Sequence, residues 1–195
     1  ISNQSQPFAN MKELVEYAKK NPGKVSYGTS GVGTAHHLSG EQLALVAGLS
    51  WVHVPYKGGP PVVTDTMTGQ VEVGFTILAT ASPFLSSGKL KILGINNERR
   101  FPGLPNVPTV SEQVPGYEPP PVWVGYFGPA GLPQPIVQKL HGEIVKTMAA
   151  PDVQAKIAGL GLVALPGTGE ELTALIRRDL VNLGKLVKQV GIKPE

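Results

Sequence analysis

The chain has no cysteine among its 195 residues. Disulfide staples and thiolate metal sites are therefore excluded, while the compartment stays open, because an extracytoplasmic protein can also lack cysteine. Charge is scarce too: Asp, Glu, Lys and Arg make up 16% of residues, with a net charge of +3. The basic pairs Lys19-Lys20 and Arg99-Arg100 are short and far apart, not a stripe, which argues against nucleic acid as a partner. No apolar run approaches membrane-spanning length. Ile1-Ser2-Asn3-Gln4 carries neither an initiator Met nor an apolar signal segment, so the sequence reads as a processed or truncated product. No His-Glu-x-x-His spacing occurs, and the adjacent His36 and His37 would point about 100° apart on a helix, a poor metal pair. Asp65, Glu72 and Asp179 are isolated, with no carboxylate pair at an obvious site loop.

What the chain does have is an apolar content of 41%, enough for a core, and an excess of turn formers, 24 glycines and 19 prolines. These fall mostly between periodic segments, which means many short connections and not low complexity. Asn10 and Glu13 form a capping box for a helix over 11–20, stopped at Asn21-Pro22-Gly23. A strand at 24–28, a helix at 34–47 ended by Gly48, a strand at 51–55 and a short helix at 60–68 follow. Next come a strand at 71–76, a helix at 80–87 and a strand at 89–95. Alternation of this kind predicts an α/β fold with a mainly parallel sheet covered by helices. From 97 to 121 the periodicity fades among prolines, and this stretch reads as a surface excursion leading to an inter-lobe connection. A strand is expected at 123–128, then helices ending near 149, 160 and 190. In the last helix Leu172, Leu175, Ile176, Leu180, Leu183, Leu186, Val187 and Val190 fit one apolar face.

The most informative stretch is Tyr27-Gly28-Thr29-Ser30-Gly31-Val32-Gly33-Thr34-Ala35-His36-His37-Leu38. A strand enters a glycine loop and a helix leaves it. Backbone N–H groups and the hydroxyls of Thr29, Ser30 and Thr34 then gather at the positive end of a helix dipole, which is an anion site. Several phosphate and hydrolase motifs are nearly matched and none is complete. Gly28 and Gly33 have P-loop spacing, but Thr34-Ala35 stands where Lys then Ser or Thr is needed. His36 occupies the place of the third glycine of a dinucleotide fingerprint. Gly28-Thr29-Ser30-Gly31-Val32 lacks the last glycine of a nucleophile elbow. Capture of a carboxylate or similar small anion remains, and the plain alternative is a turn that only joins strand to helix.

The loops at 28–34, 55–59 and 76–80 all follow strands and would gather beyond the carboxyl edge of the sheet, where ligands of such folds sit. Tyr56 offers a hydroxyl and a flat wall, and Lys57 offers a cation or is simply solvated. His37 is a candidate to hydrogen-bond a ligand or a loop carbonyl. His53, among Trp51, Val52 and Val54, reads as a core histidine, and Trp123 and Tyr126 as core or pocket wall. No nucleophile has an evident base, which favours binding over catalysis and calls for no cofactor.

These residues resemble the first signature of the Bug receptors, the periplasmic solute-binding proteins of tripartite tricarboxylate transporters. The resemblance continues in order through Val52-His53-Val54-Pro55-Tyr56-Lys57-Gly58-Gly59, Gly69-Gln70-Val71-Glu72 with Phe75, and Ser87-Gly88-Lys89-Leu90. Leu104-Pro105-Asn106-Val107-Pro108-Thr109, Pro115-Gly116-Tyr117, Trp123-x-Gly125 and Pro129-Ala130-Gly131-Leu132-Pro133 complete it. It implies a periplasmic-binding-protein-like, type II-like fold of two lobes closing on a small carboxylate, without catalysis. It further implies a late start: 7–121 as the second lobe of the family, and 122–195 as a connecting strand and helical tail of an incomplete first lobe. Ser30, Gly31, Val32, Gly33 and Thr34 would hold one carboxylate, Thr29 and His37 stand beside them as ligand-binding candidates, Pro55 and Tyr56 would line a second loop, and Thr76 a third. A neutral Thr76, where many relatives carry aspartate, points to a di- or tricarboxylate or an aromatic carboxylate and away from an amino acid. The implied partners are membrane transporter subunits, and the implied location is the periplasm. Two rival expectations stand beside this one: an α/β hydrolase using Ser30, and a truncated, domain-swapped fragment or homodimer joined through the incomplete lobe.

Overall fold

The computed structural model describes residues 1–192. It falls into two compact units, Ile1–Pro121 joined by the stretch beginning at Lys185, and Val122–Gly184. The tail domain expected over 122–195 extends at its end beyond the described residues.

In chain order the first unit contains β1 (Ser2–Asn3), α1 (Met11–Lys20), β2 (Ser26–Thr29), α2 (Ala35–Ala47), β3 (Val52–Pro55) and α3 (Gly59–Thr68). It continues with β4 (Val73–Gly74), α4 (Leu78–Leu85), β5 (Leu90–Lys91) and α5 (Val110–Gln113). The five strands form one sheet in the order β3-β2-β4-β1-β5. β2 is its parallel centre, paired with β3 from Ser26↔Val52 to Thr29↔Pro55 and with β4 through Tyr27↔Val73 and Gly28↔Gly74. Parallel neighbours need a crossover, and α2 and α3 supply the chain between them. β1 departs from the parallel pattern: Ser2 pairs antiparallel with both Val73 and Lys91. Two residues leave no periodicity to read, so this strand was not anticipated. β4 and β5 are shorter than the runs at 71–76 and 89–95, and Ile95 survives only as a lone bridge to Thr109.

The elements form for local reasons. Asn10 caps α1 by accepting from Glu13 N–H at 2.9 Å, while Glu13 reaches back one residue further than a capping box, to Ala9 N–H at 2.7 Å. Met11, Leu14 and Ala18 then lie on one buried face of α1. They join Phe8, Val25, Tyr27, Leu43, Val73, Phe75 and Leu93 in the main core. Tyr27 sits at its centre, fully buried, with Trp51 at 4.4 Å and His53 at 5.0 Å between ring centroids. α2 packs so tightly on that ring that a Cβ at Gly40 would collide with it.

The stretch from 97 to 121 is a surface excursion only in its first half, where 97–106 is largely exposed; the second half corrects that expectation. Thr109 and Glu112 form a full capping box that opens α5, and Val110, Val114 and Tyr117 are buried in the main core. Tyr117 Oη donates to Asn96 Oδ1 at 2.6 Å, and Asn96 Nδ2 donates to Ser39 Oγ on α2 at 2.7 Å. Prolines hid a segment held by side-chain bonds together with a short backbone bridge, Ile95 N–H to Pro108 O at 3.0 Å and Val110 N–H to Ile95 O at 2.9 Å.

The second unit contains α6 (Gln134–Met148), α7 (Pro151–Gly159) and most of α8 (Gly169–Val190). The strand expected at 123–128 is absent: among the described residues this stretch pairs with no other, and Val124, Tyr126 and Phe127 are 83%, 75% and 69% exposed. A strand needs a neighbour to satisfy its backbone, and none is present here. Trp123 is turned to Asp179, which accepts its indole N–H at 2.9 Å. The same residue corrects the apolar face of α8. Asp179 is buried and Leu180 is 69% exposed, so the covered row passes through the acid. Arg178 Nε donates to Asp179 Oδ1 at 3.0 Å and offsets its charge.

Candidate functional site

The parallel strands β2, β3 and β4 end side by side, and the three loops that leave them meet. Tyr56 N–H donates to Thr29 O at 2.9 Å, Gly58 N–H to Ser30 O at 3.3 Å, and Phe75 N–H to Gly28 O at 2.9 Å. A Cβ on Gly59 would lie 3.2 Å from Thr76 Oγ1, so the third loop rests on the first turn of α3. Every loop leads directly into a helix: 30–34 into α2, 56–58 into α3, and 75–77 into α4. Three helix N-termini, each with a partial positive charge of about half a unit, thus face one sheet edge.

The glycine loop is built to hold its backbone outward. Gly31 has φ 138° and Gly33 φ 72°, conformations that side-chain-bearing residues rarely adopt. Thr34 caps α2, its Oγ1 accepting from His37 N–H at 3.3 Å and donating to Gly31 O at 2.8 Å. Gly31 N–H donates to Thr29 Oγ1 at 3.4 Å, and Gly33 N–H to His37 Nδ1 at 3.1 Å. Among the described residues the N–H groups of Ser30, Val32, Ala35, His36 and Gly59 donate to no protein acceptor. Thr76 Oγ1 is buried and likewise has no partner. A cluster of unpaired donors at three helix starts suits an anion that brings its own acceptors.

The candidate residues divide into two shells. Ser30, Gly31, Thr34, Tyr56 and Thr76 are partly exposed, and Val32, Gly33 and Pro55 exposed. Thr29 is fully buried and His37 is 7% exposed, so both stand behind the loop. His53, read as a core residue, belongs to the same inner layer. Its Nε2 lies 2.6 Å from Thr29 Oγ1, and its ring stacks on His37 with centroids 3.8 Å apart and planes 11° apart. Glu41 links this layer to Tyr27: the Tyr27 hydroxyl donates to Glu41 Oε1, which is 3.8 Å from His37 Nε2. The spacing His37 to Glu41 is one helical turn, a signal present in the sequence, whereas the His37–His53 stack depends on the pairing of β2 with β3.

Electrostatics follow from burial. His53 is pulled from 6.5 down to about 4, by desolvation first and by neighbouring His37 second. His37 is lowered by desolvation against the opposing pull of Glu41. His36 is lowered, by desolvation first. Tyr27 is raised by burial, then by its bond and charge contact with Glu41. Tyr56 is pushed up to about 12 by burial and by donating to Asp65 Oδ2 at 2.7 Å. Every ring at the loop is thus held neutral.

Ser30 Oγ lies 2.9 Å from His36 Nδ1, the one contact that touches the hydrolase expectation. A relay needs a carboxylate on the far ring nitrogen. Among the described residues no carboxylate hydrogen-bonds His36, nor do any three His, Cys, Asp or Glu side chains form a group that could hold a metal. Donors gathered at a parallel sheet edge are an arrangement able to hold an anion.

Comparison with known proteins narrows this class. Residues 1–192 match the family described as tripartite tricarboxylate transporter family receptor, and the chain belongs to it. This is a family of solute-binding receptors, not of enzymes. The chain is 35% identical over 182 residues to a UPF0065 protein of Pseudomonas sp. (strain P51), covering 92% of itself and 54% of that relative. It superposes on an R. palustris protein solved with adipate with a TM-score of 0.85 at 27% identity, covering 99% of itself and 64% of that chain. For the periplasmic binding protein BugD the TM-score is 0.80 at 32% identity, covering 100% of this chain and 66% of the other. The chain thus spans about half the length of curated relatives such as this one.

Proposed function

We propose that the chain is the carboxylate-binding part of a periplasmic receptor that hands its ligand to a tripartite transporter. The observation that carries this reading is the set of unpaired donors: the N–H groups of Ser30, Val32, Ala35, His36 and Gly59, with the Thr76 hydroxyl, at one sheet edge. One carboxylate would sit on the amides of Ser30 and Val32 and on the first turn of α2. Gly59 N–H and Thr76 Oγ1 would take a second carboxylate or a hydroxyl, walled by Pro55 and Tyr56. In this assignment Thr29 and His37 act from behind, through the loop. Desolvated N–H donors bind anions strongly because charge-assisted hydrogen bonds gain as water is excluded. A dicarboxylate is favoured over an amino acid because Thr76 is neutral and, among the described residues, the Asp65 carboxylate beside the second loop is already engaged by the Tyr56 hydroxyl. Related structures hold adipate in one case and malate, in MatC of Rhodopseudomonas palustris, in another. Membership of the family supports periplasmic location and a membrane transporter as the acceptor of the ligand.

The test is a thermal-shift and calorimetric series with malate, adipate, citrate, a monocarboxylate and an amino acid. It is run on this chain and on a protein carrying it at the length of its relatives. A di- or tricarboxylate at one hundred times its Kd stabilises the native state by about 2.7 kcal/mol. Selective stabilisation by such a ligand is the expected result. Absence of a response to every carboxylate in both proteins would sink the reading.

A further inference from the structure

We propose that His37 and His53 are positioning residues that hold the glycine loop in its anion-ready conformation only while His37 is neutral, so that acid releases the ligand. This rests on the carboxylate-receptor reading for the identity of the ligand, but not for the behaviour of the loop.

One hydrogen bond sets the tautomer of His37. Gly33 N–H donates to His37 Nδ1 at 3.1 Å, so that nitrogen must carry a lone pair. The neutral ring therefore has its proton on Nε2, which faces Glu41 Oε1 at 3.8 Å. Protonating Nδ1 would set two donors against each other and turn the Gly33 amide away. Gly33 is the only residue between Val32 and Thr34, whose backbone forms the lip of the site. Its φ of 72° is a turn conformation with no ladder partner to restore it.

The second support is the stack. His53 lies face to face with His37 at 3.8 Å, and its Nε2 meets Thr29 Oγ1, which accepts from Gly31 N–H. The two rings thus brace the loop at both of its glycines, Gly31 through Thr29 and Gly33 directly. Two cationic rings at that separation repel, so the pair admits at most one proton with ease. The groups that face this pair from each packed element are few. From α2 come Glu41, which favours a cation on His37, and His36, engaged with Ser30. From β2 comes the Tyr27 hydroxyl, which is bound to Glu41. β3 contributes His53 itself. Burial outweighs Glu41 at His37, and its protonation is shifted to lower pH, as it is at His53.

The sign follows directly. A histidine whose folded pKa lies below 6.5 takes up protons less readily folded than unfolded, so the folded loop loses stability as pH falls from about 6.5 toward about 4. A bare electrostatic argument gives the opposite trend, since a histidinium beside an anion would strengthen capture. The structure separates the two, because the His37 ring is 7% exposed and its free nitrogen is already bound to the loop.

The experiment has two independent readouts. In the first, the Gly33 amide and the His37 ring are followed by NMR from pH 7.5 to 4.5 without ligand. The Gly33 resonance is expected to shift with the His37 titration, at a midpoint below 6.5. A Gly33 amide that ignores protonation of His37 would overturn the proposal. In the second, malate affinity is measured over the same range for the wild type, His37→Ala and His37→Asn. Asn places an acceptor oxygen near the position of Nδ1 but does not titrate. The wild type is expected to weaken about fivefold more than His37→Asn across the range, the variant's own profile carrying the protonation of malate itself. His37→Ala is expected to bind more weakly than the wild type at pH 7.5. Parallel profiles for wild type and His37→Asn, or a wild-type affinity that rises in acid relative to that variant, would overturn the proposal. If malate binds at no pH, the receptor reading fails for this ligand while the amide titration still judges the loop.

Discussion

The two units use helices of similar amphipathic pattern to opposite effect. In Ile1–Pro121 the apolar faces of α1, α2 and α3 are buried against a sheet, with Leu14, Leu43 and Val62 fully inaccessible. In Val122–Gly184 no residue of α6 or α7 is buried, and Ile136, Leu140, Leu160 and Leu165 are 47% to 84% exposed. The difference teaches that helical periodicity states only which face wants cover. Whether cover exists depends on strands elsewhere in the chain, and among the described residues the strands are all in the first unit.

The comparison can be broken by paired substitutions. Leu14→Ala should cost about 2–5 kcal/mol in urea unfolding, as expected for emptying a filled core site. Leu140→Ala, on half-exposed α6, should change stability by no more than about 0.5 kcal/mol. Equal costs would mean that α6 is covered after all.

A sharper contrast is available at two helical glycines. Gly40→Ala should destabilise by about 1–3 kcal/mol, because the added methyl meets the Tyr27 ring, itself wedged by Trp51 and Phe75. Gly142→Ala on α6 has open space around the new Cβ and should stabilise that helix by roughly 0.5–1 kcal/mol. Circular dichroism melts of the two variants should therefore move in opposite directions.

A smaller loss than at Leu14 or Gly40 is expected at a cap. Thr34→Ala removes the acceptor for His37 N–H and the bond to Gly31 O, costing about 0.5–2 kcal/mol. Denaturant midpoints measure it, and a neutral result would mean that water replaces the hydroxyl without loss.

Much of this architecture could be read from residue order. α1, α2, α3, α6, α7 and α8 lie within a residue or two of their anticipated spans, since caps and glycine stops are local signals. The convergence of the loops after β2, β3 and β4 was also legible, because parallel alternation puts like ends together. Other features depend on contacts distant in sequence. β1 exists only because Val73 and Lys91 accept it as a neighbour. The run 123–128 has strand composition and no partner. Asp179 displaced Leu180 from the covered row of α8 because Trp123 supplies an indole donor 56 residues away. Within the candidate site, the glycine loop announced itself, whereas the role of His53 did not, since a stacked pair across β3 and α2 leaves no spacing signal. The α5 capping box, Thr109-Val110-Ser111-Glu112, was legible and was obscured by the prolines around it.

The place of β1 between β4 and β5 has a kinetic consequence. Ser2 finds its partners 71 and 89 positions further along the chain, at Val73 and Lys91. The parallel trio β3-β2-β4 can assemble as soon as β4 emerges, but β5 has no seat until β1 threads between them. Closing so long a loop is slow relative to local helix formation. The glycine loop, flanked by β3 and β4 alone, can therefore take shape before the sheet is complete, and refolding should show α1 and α2 early and the β1–β5 edge last.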